Sequence, residues 1–368
     1  MSIVYGIQDI ENSKNKIINL YSQIIEKFNG LKDIIGRGDK VLIKPNFVAP
    51  FERATTDLVL LECMIRTVLE CGGIPIIGDS SGFEFSTEDT LSILKVEDIC
   101  RKYDVRLVNF DQEQFVSVPT GNPYVPQYLI PKIVREVDRI IDMPCLKGHS
   151  ITKVTFGIKN LFGILHRNTR RDIHASDLER GLAELAQIFH VDFVLVDGLW
   201  NLINAIYSDT YYTGILIAGT DVAAVDRVCC DIFDVDYHDI PHINSCVPRE
   251  AYSFSQLTPV AKIDSKIMER GEHFEKQNKK YKFLYKMEKV SSALFHTSIV
   301  SYCHYYLGIR PVINKKKCID CGKCCQICPT QAIRNKTIDP HKCMRVRCLK
   351  CFDVCEAGAI EKKGTHKS

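Results

Sequence analysis

Short apolar runs alternate with segments of helical period along most of the chain. Val41-Leu-Ile43 forms the apolar centre of a strand over 39–44, closed by Pro45-Asn46. Leu58 to Leu69 repeats apolar residues at helical spacing and runs into Cys71-Gly72-Gly73, a helix stop. Ile74-Pro-Ile-Ile77 predicts the next strand, and Ser86 with Asp89 three residues on predicts a capped helix start. Further strands are predicted over Val105–Phe110, Arg139–Asp142, Phe193–Val196 and Ile215–Ala218, and a helix over Thr152–Ile164. Strands separated by helical segments of this length predict an α/β fold, a mostly parallel sheet with flanking helices. In such sheets ligands sit beyond the carboxyl ends of the strands. The polar tips Lys44-Pro-Asn46, Asp79-Ser-Ser81, Asp142 and Asp197-Gly198 all come after strands and are expected to share one rim.

The pattern changes twice further on. From about residue 264 to 310 it lacks strands and is rich in Lys, Glu and Tyr, which reads as a helical connector. Beyond it cysteine dominates. The expected organisation is an α/β domain over 1–263, the connector over 264–310, and a small α+β iron–sulfur domain over 311–368.

Nine of the seventeen cysteines lie between Cys318 and Cys355. The first run is Cys318-x2-Cys321-x2-Cys324-x3-Cys328-Pro329, and the second is Cys343-x4-Cys348-x2-Cys351-x3-Cys355. This spacing resembles the bacterial ferredoxin arrangement, in which three thiolates of one run hold a [4Fe–4S] cube and the fourth serves the other. It assigns Cys318, Cys321, Cys324 and Cys355 to one cluster. Cys328, Cys343, Cys348 and Cys351 go to the second, and Cys325 is left as a spare thiol or an alternative ligand to Cys324. A zinc module would need only four ligands with a spacer between pairs, which fits two such runs less well.

Composition adds limits. With 45% hydrophobic and 25% charged residues and a net charge of +3, the chain resembles an ordinary globular protein. No apolar stretch reaches the length of a membrane span, and the start lacks the pattern of a secretory signal, so a cytoplasmic location is expected. From Pro311 onward thirteen Lys or Arg face five acids. Cluster thiolates account for this excess better than nucleic acid does, because no stacking aromatics interleave the cations.

Several segments identify a resemblance to the DUF362 family. They are Val41-Leu-Ile-Lys-Pro-Asn46, Gly78-Asp-Ser-Ser-Gly82, Asp142-Met-Pro-Cys-Leu-Lys-Gly-His149, Thr155-Phe-Gly-Ile-Lys-Asn-Leu-Phe-Gly163 and Gly219-Thr-Asp-Val-Ala-Ala-Val-Asp226. Members of that family often carry a C-terminal ferredoxin domain. A more distant likeness is to the lactate racemase family, through Glu52-Arg-Ala-Thr55 and the ten-residue separation of His149 and Lys159. It bears on the ancestry of the fold and does not make the chain a racemase.

Within these segments His149, Lys147 and Lys159 are the candidate catalytic residues, with His174 a further proton-transfer candidate. Lys44, Asn46, Asp79, Ser80, Asn160 and Asp197 are candidates for substrate binding. Lys44, Lys147, Lys159 and Arg171 are expected to form an anion pocket, and Asp79 or Asp197 to orient His149. The chain then reads as an iron–sulfur protein passing low-potential electrons through two [4Fe–4S] clusters to a small anionic substrate or cofactor. A further cofactor of unassigned identity and a redox partner protein belong to this expectation, which points to a ferredoxin-linked oxidoreductase. Two alternatives stand beside it: a non-enzymatic electron carrier or adaptor, and a racemase- or isomerase-like enzyme with accessory clusters. With no Gly-x-Gly-x-x-Gly segment, nicotinamide binding in the standard mode is not expected.

Overall fold

The computed structural model describes residues 2–83, 85–149, 151–202, 210–263, 310–344 and 350–363. The expected connector over 264–310 lies almost wholly outside the described residues, and so does Cys348.

The chain opens with strand β1 (Ser2–Gln8) and helix α1 (Lys14–Glu26), then β2 (Lys40–Pro45), α2 (Leu58–Glu70) and β3 (Ile74–Asp79). Helices α3 (Thr87–Leu94) and α4 (Val96–Lys102) lead to β4 (Arg106–Asn109) and to a hairpin of β5 (Phe115–Pro119) and β6 (Gln127–Pro131). Then come β7 (Arg139–Met143), a hairpin of β8 (Lys147–His149) and β9 (Lys153–Thr155), and α5 (Gly157–Asn160), α6 (Arg167–Ala175) and α7 (Leu178–Ile188). Strands β10 (Phe193–Leu202) and β11 (Thr210–Gly219), helices α8 (Val222–Ile232) and α9 (Pro241–Ser245), and β12 (Tyr252–Gln256) complete this unit.

Eight strands form one sheet in the order β12-β1-β11-β10-β7-β2-β3-β4. All neighbours are parallel except β1–β11 and β10–β11. The expected mostly parallel α/β sheet is therefore present. Alternation along each strand sends successive side chains to opposite faces. Leu42, Ile76, Ile140 and Val194 join the core under α5, α7 and α8. Val41, Ile43, Ile77, Ile141 and Phe193 join the core under α1 and α2. Caps fix where the helices begin: Asp57 accepts from Val59 N, Ser86 from Asp89 N, and Asp221 from Ala223 N and Ala224 N.

The segment 152–164 corrects the single helix expected there. It is β9, the four residues of α5 and a 3-10 turn over Leu161–Ile164. Lys153 sits at φ +63 in the hairpin turn, a conformation no helix contains.

The C-terminal unit has two small ladders. Strand β13 (Arg310–Ile313) pairs antiparallel with β16 (Ile360–Lys363), and β14 (Ile333–Arg334) pairs with β15 (Thr337–Ile338). Helix α10 (Lys323–Ile327) carries Cys324 and Cys325. Ile333, Cys351 and Ile360 form the unit's own buried core. Among the described residues no helix is long and apolar enough to cross a membrane.

Candidate functional site

Strand β2 is flanked by β3 on one side and β7 on the other, so the strand order reverses at β2–β7. A crevice is expected beyond the carboxyl ends at such a switch point. Register pairs Lys44 with Asp142 and Pro45 with Met143 there. The β8–β9 hairpin and α5 come directly after β7 and supply the remaining polar side chains.

Much of this polar set is engaged within the protein. Lys44 is fully buried and donates to Asp79 Oδ1 at 2.8 Å and to Pro45 O at 3.0 Å. Asp79 Oδ2 accepts from Phe47 N at 2.6 Å. Ser80 Oγ donates to Gly163 O at 2.6 Å. Asp197 accepts from Asp57 N and Leu199 N. Lys147 donates to Asn46 Oδ1 at 2.8 Å and to Ala54 O at 2.7 Å. Asn46 Nδ2 donates to Asn160 Oδ1, and Asn160 Nδ2 to Asp142 Oδ1, both at 2.7 Å. These bonds tie the tips of β2, β3, β7 and β8 to α5 in one frame.

The carboxyl of Asp142 is buried at that frame's inner end. Burial outweighs the pull of Lys44 and Asn160 and pushes its pKa up to about 8, while Asp197 and Asp226 are pushed up to about 7 by the same cause. Oδ2 of Asp142 has no hydrogen-bond partner among the described residues. A carboxyl raised above its ordinary 3.8 holds its proton in the native state while the unfolded chain releases it. The stability it supports is complete below about pH 4 and lost as the pH climbs through about 8. Asp142→Asn removes this titration, so the variant will gain on the wild type across that window, by at least about 5 °C in Tm at pH 8. Parallel Tm profiles for the two proteins between pH 4 and 8 would contradict the burial of an ionisable Asp142.

Beside the frame stands a group of basic side chains. His149 Nδ1 accepts from Ile151 N and Thr152 N at 3.1 and 3.2 Å, which puts the ring proton on Nε2. Its orientation therefore comes from the backbone of the β8–β9 turn, which corrects the expectation that Asp79 or Asp197 orients it. Burial, then Lys159, His174 and Lys147, hold His149 well below its usual 6.5. Burial, then Lys147, lowers Lys159 to about 8. The Lys159 ammonium makes no ion pair among the described residues and lies 5.9 Å from the Phe162 ring centre. His174 packs edge-on between Phe83 and Phe162, at 5.5 and 5.2 Å, and is also held well below its usual pKa, by burial first and Lys159 next.

Of the sequence candidates, the structure groups His149, Lys159, His174 and Lys147 electrostatically. It assigns Lys44 and Asp79 to an internal ion pair. Arg171 lies 6.0 Å over Phe83 and reaches Asn168, while its neighbour Arg170 binds Ser81 O and Asp111. Arg170 and the rings of Phe83 and Phe162 carry no local signal that marks them as part of the site, although Phe162 lies inside a matching segment and Phe83 directly follows one. Cys145 offers no nucleophile here, since burial pushes its thiol to about 12.

The C-terminal unit holds a second candidate. A cavity of about 40 Å³ is lined by Cys318, Cys321, Cys324, Cys325 and Cys355, with Ile313, Ile333 and Ile360 on its apolar wall. Cys328 is not on that wall. Its sulfur accepts from Ala332 N at 3.2 Å, and the Cys355 sulfur accepts from Ala359 N at the same distance. Among the described residues no three Cys, His, Asp or Glu side chains gather as ligands for a single metal ion.

The "Thylakoid-associated protein sll1697" of Synechocystis sp. (strain ATCC 27184 / PCC 6803 / Kazusa) is 27% identical over 231 residues, 59% of this chain and 70% of that protein. The lactate racemase apoprotein of Thermoanaerobacterium thermosaccharolyticum superposes with a TM-score of 0.44 at 12% identity, over 63% of this chain and 57% of that one. Residues 41–231 match the domain of unknown function DUF362, and this stretch contains every strand tip of the crevice: the chain is a member of the DUF362 family.

Proposed function

We propose that the chain is an iron–sulfur protein with two [4Fe–4S] clusters that pass low-potential electrons to a small anionic substrate or cofactor held at the β2–β7 crevice. Cys318, Cys321, Cys324 and Cys355 would hold one cluster, and Cys328, Cys343, Cys348 and Cys351 the other. The observation that carries the reading is which thiols share the cavity: Cys355 joins Cys318, Cys321 and Cys324 there, along with the adjacent Cys325, and Cys328 does not. That is the exchange of fourth ligands expected of two clusters in tandem. Backbone N–H groups donate to the Cys328 and Cys355 sulfurs, from Ala332 and Ala359. When bound, the clusters supply one-electron chemistry at low potential.

The large unit's part rests on its cations. His149, Lys159, His174 and Lys147 repel one another's charged forms, and an anion among them relieves that repulsion. The neutral His149 Nε2–H is a donor toward such a ligand. An adaptor that only docked a partner would have no need of a half-buried lysine that makes no ion pair among the described residues, set beside two histidines, with Glu179 as the carboxylate that pulls against its burial.

Iron and inorganic sulfide per chain, measured on protein purified without oxygen, test the reading. About eight irons are expected. Cys318→Ser will lower the count toward about four, while Cys325→Ser will leave it unchanged. Zinc without iron in the wild type, or loss of iron in Cys325→Ser, would overturn the assignment.

A further inference from the structure

The mouth of the thiol cavity has a composition that the ligand set does not explain. Ile319 is 70% exposed, and Cys321 beside it is exposed too. Both lie on the rim with Lys323 and Lys336. Three acids here are each matched by a lysine: Asp320 by Lys336 at 3.4 Å, Glu356 by Lys323 at 2.5 Å and Glu361 by Lys317 at 3.0 Å. Lys315 and Lys316 are left exposed with no ion pair among the described residues. They stand three and two residues before Cys318, within roughly 10 Å of it along the chain. An apolar residue is thus set at an exposed thiol, inside a field of net positive charge.

Resting on the iron–sulfur reading, we infer that this rim is the docking face for an acidic one-electron carrier protein, with Ile319 at the contact and Lys315 and Lys316 steering the approach. Encounters between redox proteins are small and weak, so specificity and speed come from charge complementarity more than from area. A cationic rim attracts an acidic carrier and repels a basic one. The exposed isoleucine gives the contact a dry centre, and the exposed Cys321 puts a ligand sulfur at the surface. Nucleic acid would also answer to the charge, but the rim carries no aromatic ring on which a base would stack.

The electron step balances simply. A carrier whose flavin is in the anionic hydroquinone form gives one electron and becomes the neutral semiquinone, and the chain takes up that electron. An acidic flavodoxin is the probe. Reduction of the full-length protein by flavodoxin hydroquinone is monitored by anaerobic stopped flow, and binding of oxidised flavodoxin by calorimetry. The bimolecular rate of the wild type should fall as salt rises. The Lys315→Glu/Lys316→Glu double variant should react at least about 10-fold more slowly at low salt and converge with the wild type at high salt. Ile319→Asn should weaken calorimetric binding by about 10-fold at any salt. Iron content, and reduction by photogenerated deazariboflavin radical, should match the wild type in both variants.

A salt-independent rate, or a double variant as fast as the wild type, would overturn the docking face. So would absence of flavodoxin binding from a protein that binds a DNA duplex through Lys315 and Lys316. If the wild type holds no iron, the iron–sulfur reading falls by itself, and calorimetry with oxidised flavodoxin still reports on docking.

Discussion

Asp79→Ala will cost the α/β unit about 3–5 kcal/mol of stability, read as a shift in the urea midpoint at unchanged slope. Lys44 is fully buried, and Asp79 is nearly so. Their 2.8 Å bond is the nearest compensation for an ammonium group taken out of water. Removing the carboxylate leaves the ammonium with the Pro45 carbonyl as its one hydrogen-bond acceptor among the described residues and with Asp142, itself pushed up to about 8, as the neighbouring carboxyl, and it strips the Phe47 N–H of its acceptor. The space around the pair is closed as well. A Cβ built on Gly163 would stand 2.8 Å from Asp79 Oδ1 and 3.0 Å from Lys44 Nζ, so Gly163→Ala must push on the pair. Replacing both partners by apolar residues, Lys44→Met with Asp79→Leu, should cost less than Asp79→Ala alone, because no uncompensated charge remains. A loss below about 1 kcal/mol for Asp79→Ala would mean that water reaches the pair.

That ion pair also shows where the sequence stops being readable. Val41-Leu-Ile43 and Ile74–Ile77 identify their strands from local pattern alone, and Ser86 with Asp89 marks the start of α3, because these signals reside within a few residues. Lys44 is different. A lysine at a strand tip looks like an anion-binding group until its partner is known, and that partner is thirty-five residues away in sequence. Lys147 is satisfied by Asn46, one hundred and one residues distant. Sequence therefore identifies the polar rim but cannot separate side chains that brace it from those left for a ligand.

Two other differences have local causes. The segment 152–164 has apolar residues at near-helical spacing, yet the turn at Lys153 and the Asp226 carboxylate, which accepts from Gly157 N and Ile158 N, divide it into a hairpin and a short helix. Strand β1 pairs with both β11 and β12, but its seven residues show too little alternation against the neighbouring segment to mark it in the sequence. The cysteine tail is the most legible part. The four thiols that its spacing assigns to one cluster are among the five that line the cavity, Cys325 being the fifth.

Lys159 is the side chain on which anion binding should turn. Lys159→Met is expected to weaken binding of sulfate or malonate by about 10- to 100-fold at pH 7, the loss of one charge-assisted contact of about 1.5–3 kcal/mol. Sulfate stands for a phosphate-like ligand and malonate for a carboxylate, and both keep their charge through the neutral and alkaline range. The pH dependence comes from the lysine, which is charged below about 8 and neutral above it. An anion favours the charged form, so wild-type affinity will hold level from about pH 6.5 to 7.5. It will then fall roughly tenfold per pH unit above 8, until the raised pKa of the complex is reached. The Met variant should show no such fall. Binding by His149 differs, because its neutral ring donates through Nε2 across this whole range. His149→Gln keeps a donor and should lower affinity evenly, without moving the alkaline limb. Calorimetric titrations of the three proteins from pH 6.5 to 9.5 separate these contributions. Affinity that is level to pH 9.5 and indifferent to Lys159→Met would remove the anion from the crevice. A limb near pH 8 that vanishes only with Lys159 would tie the site to a lysine that makes no ion pair among the described residues and whose pKa burial and Lys147 lower against the pull of Glu179.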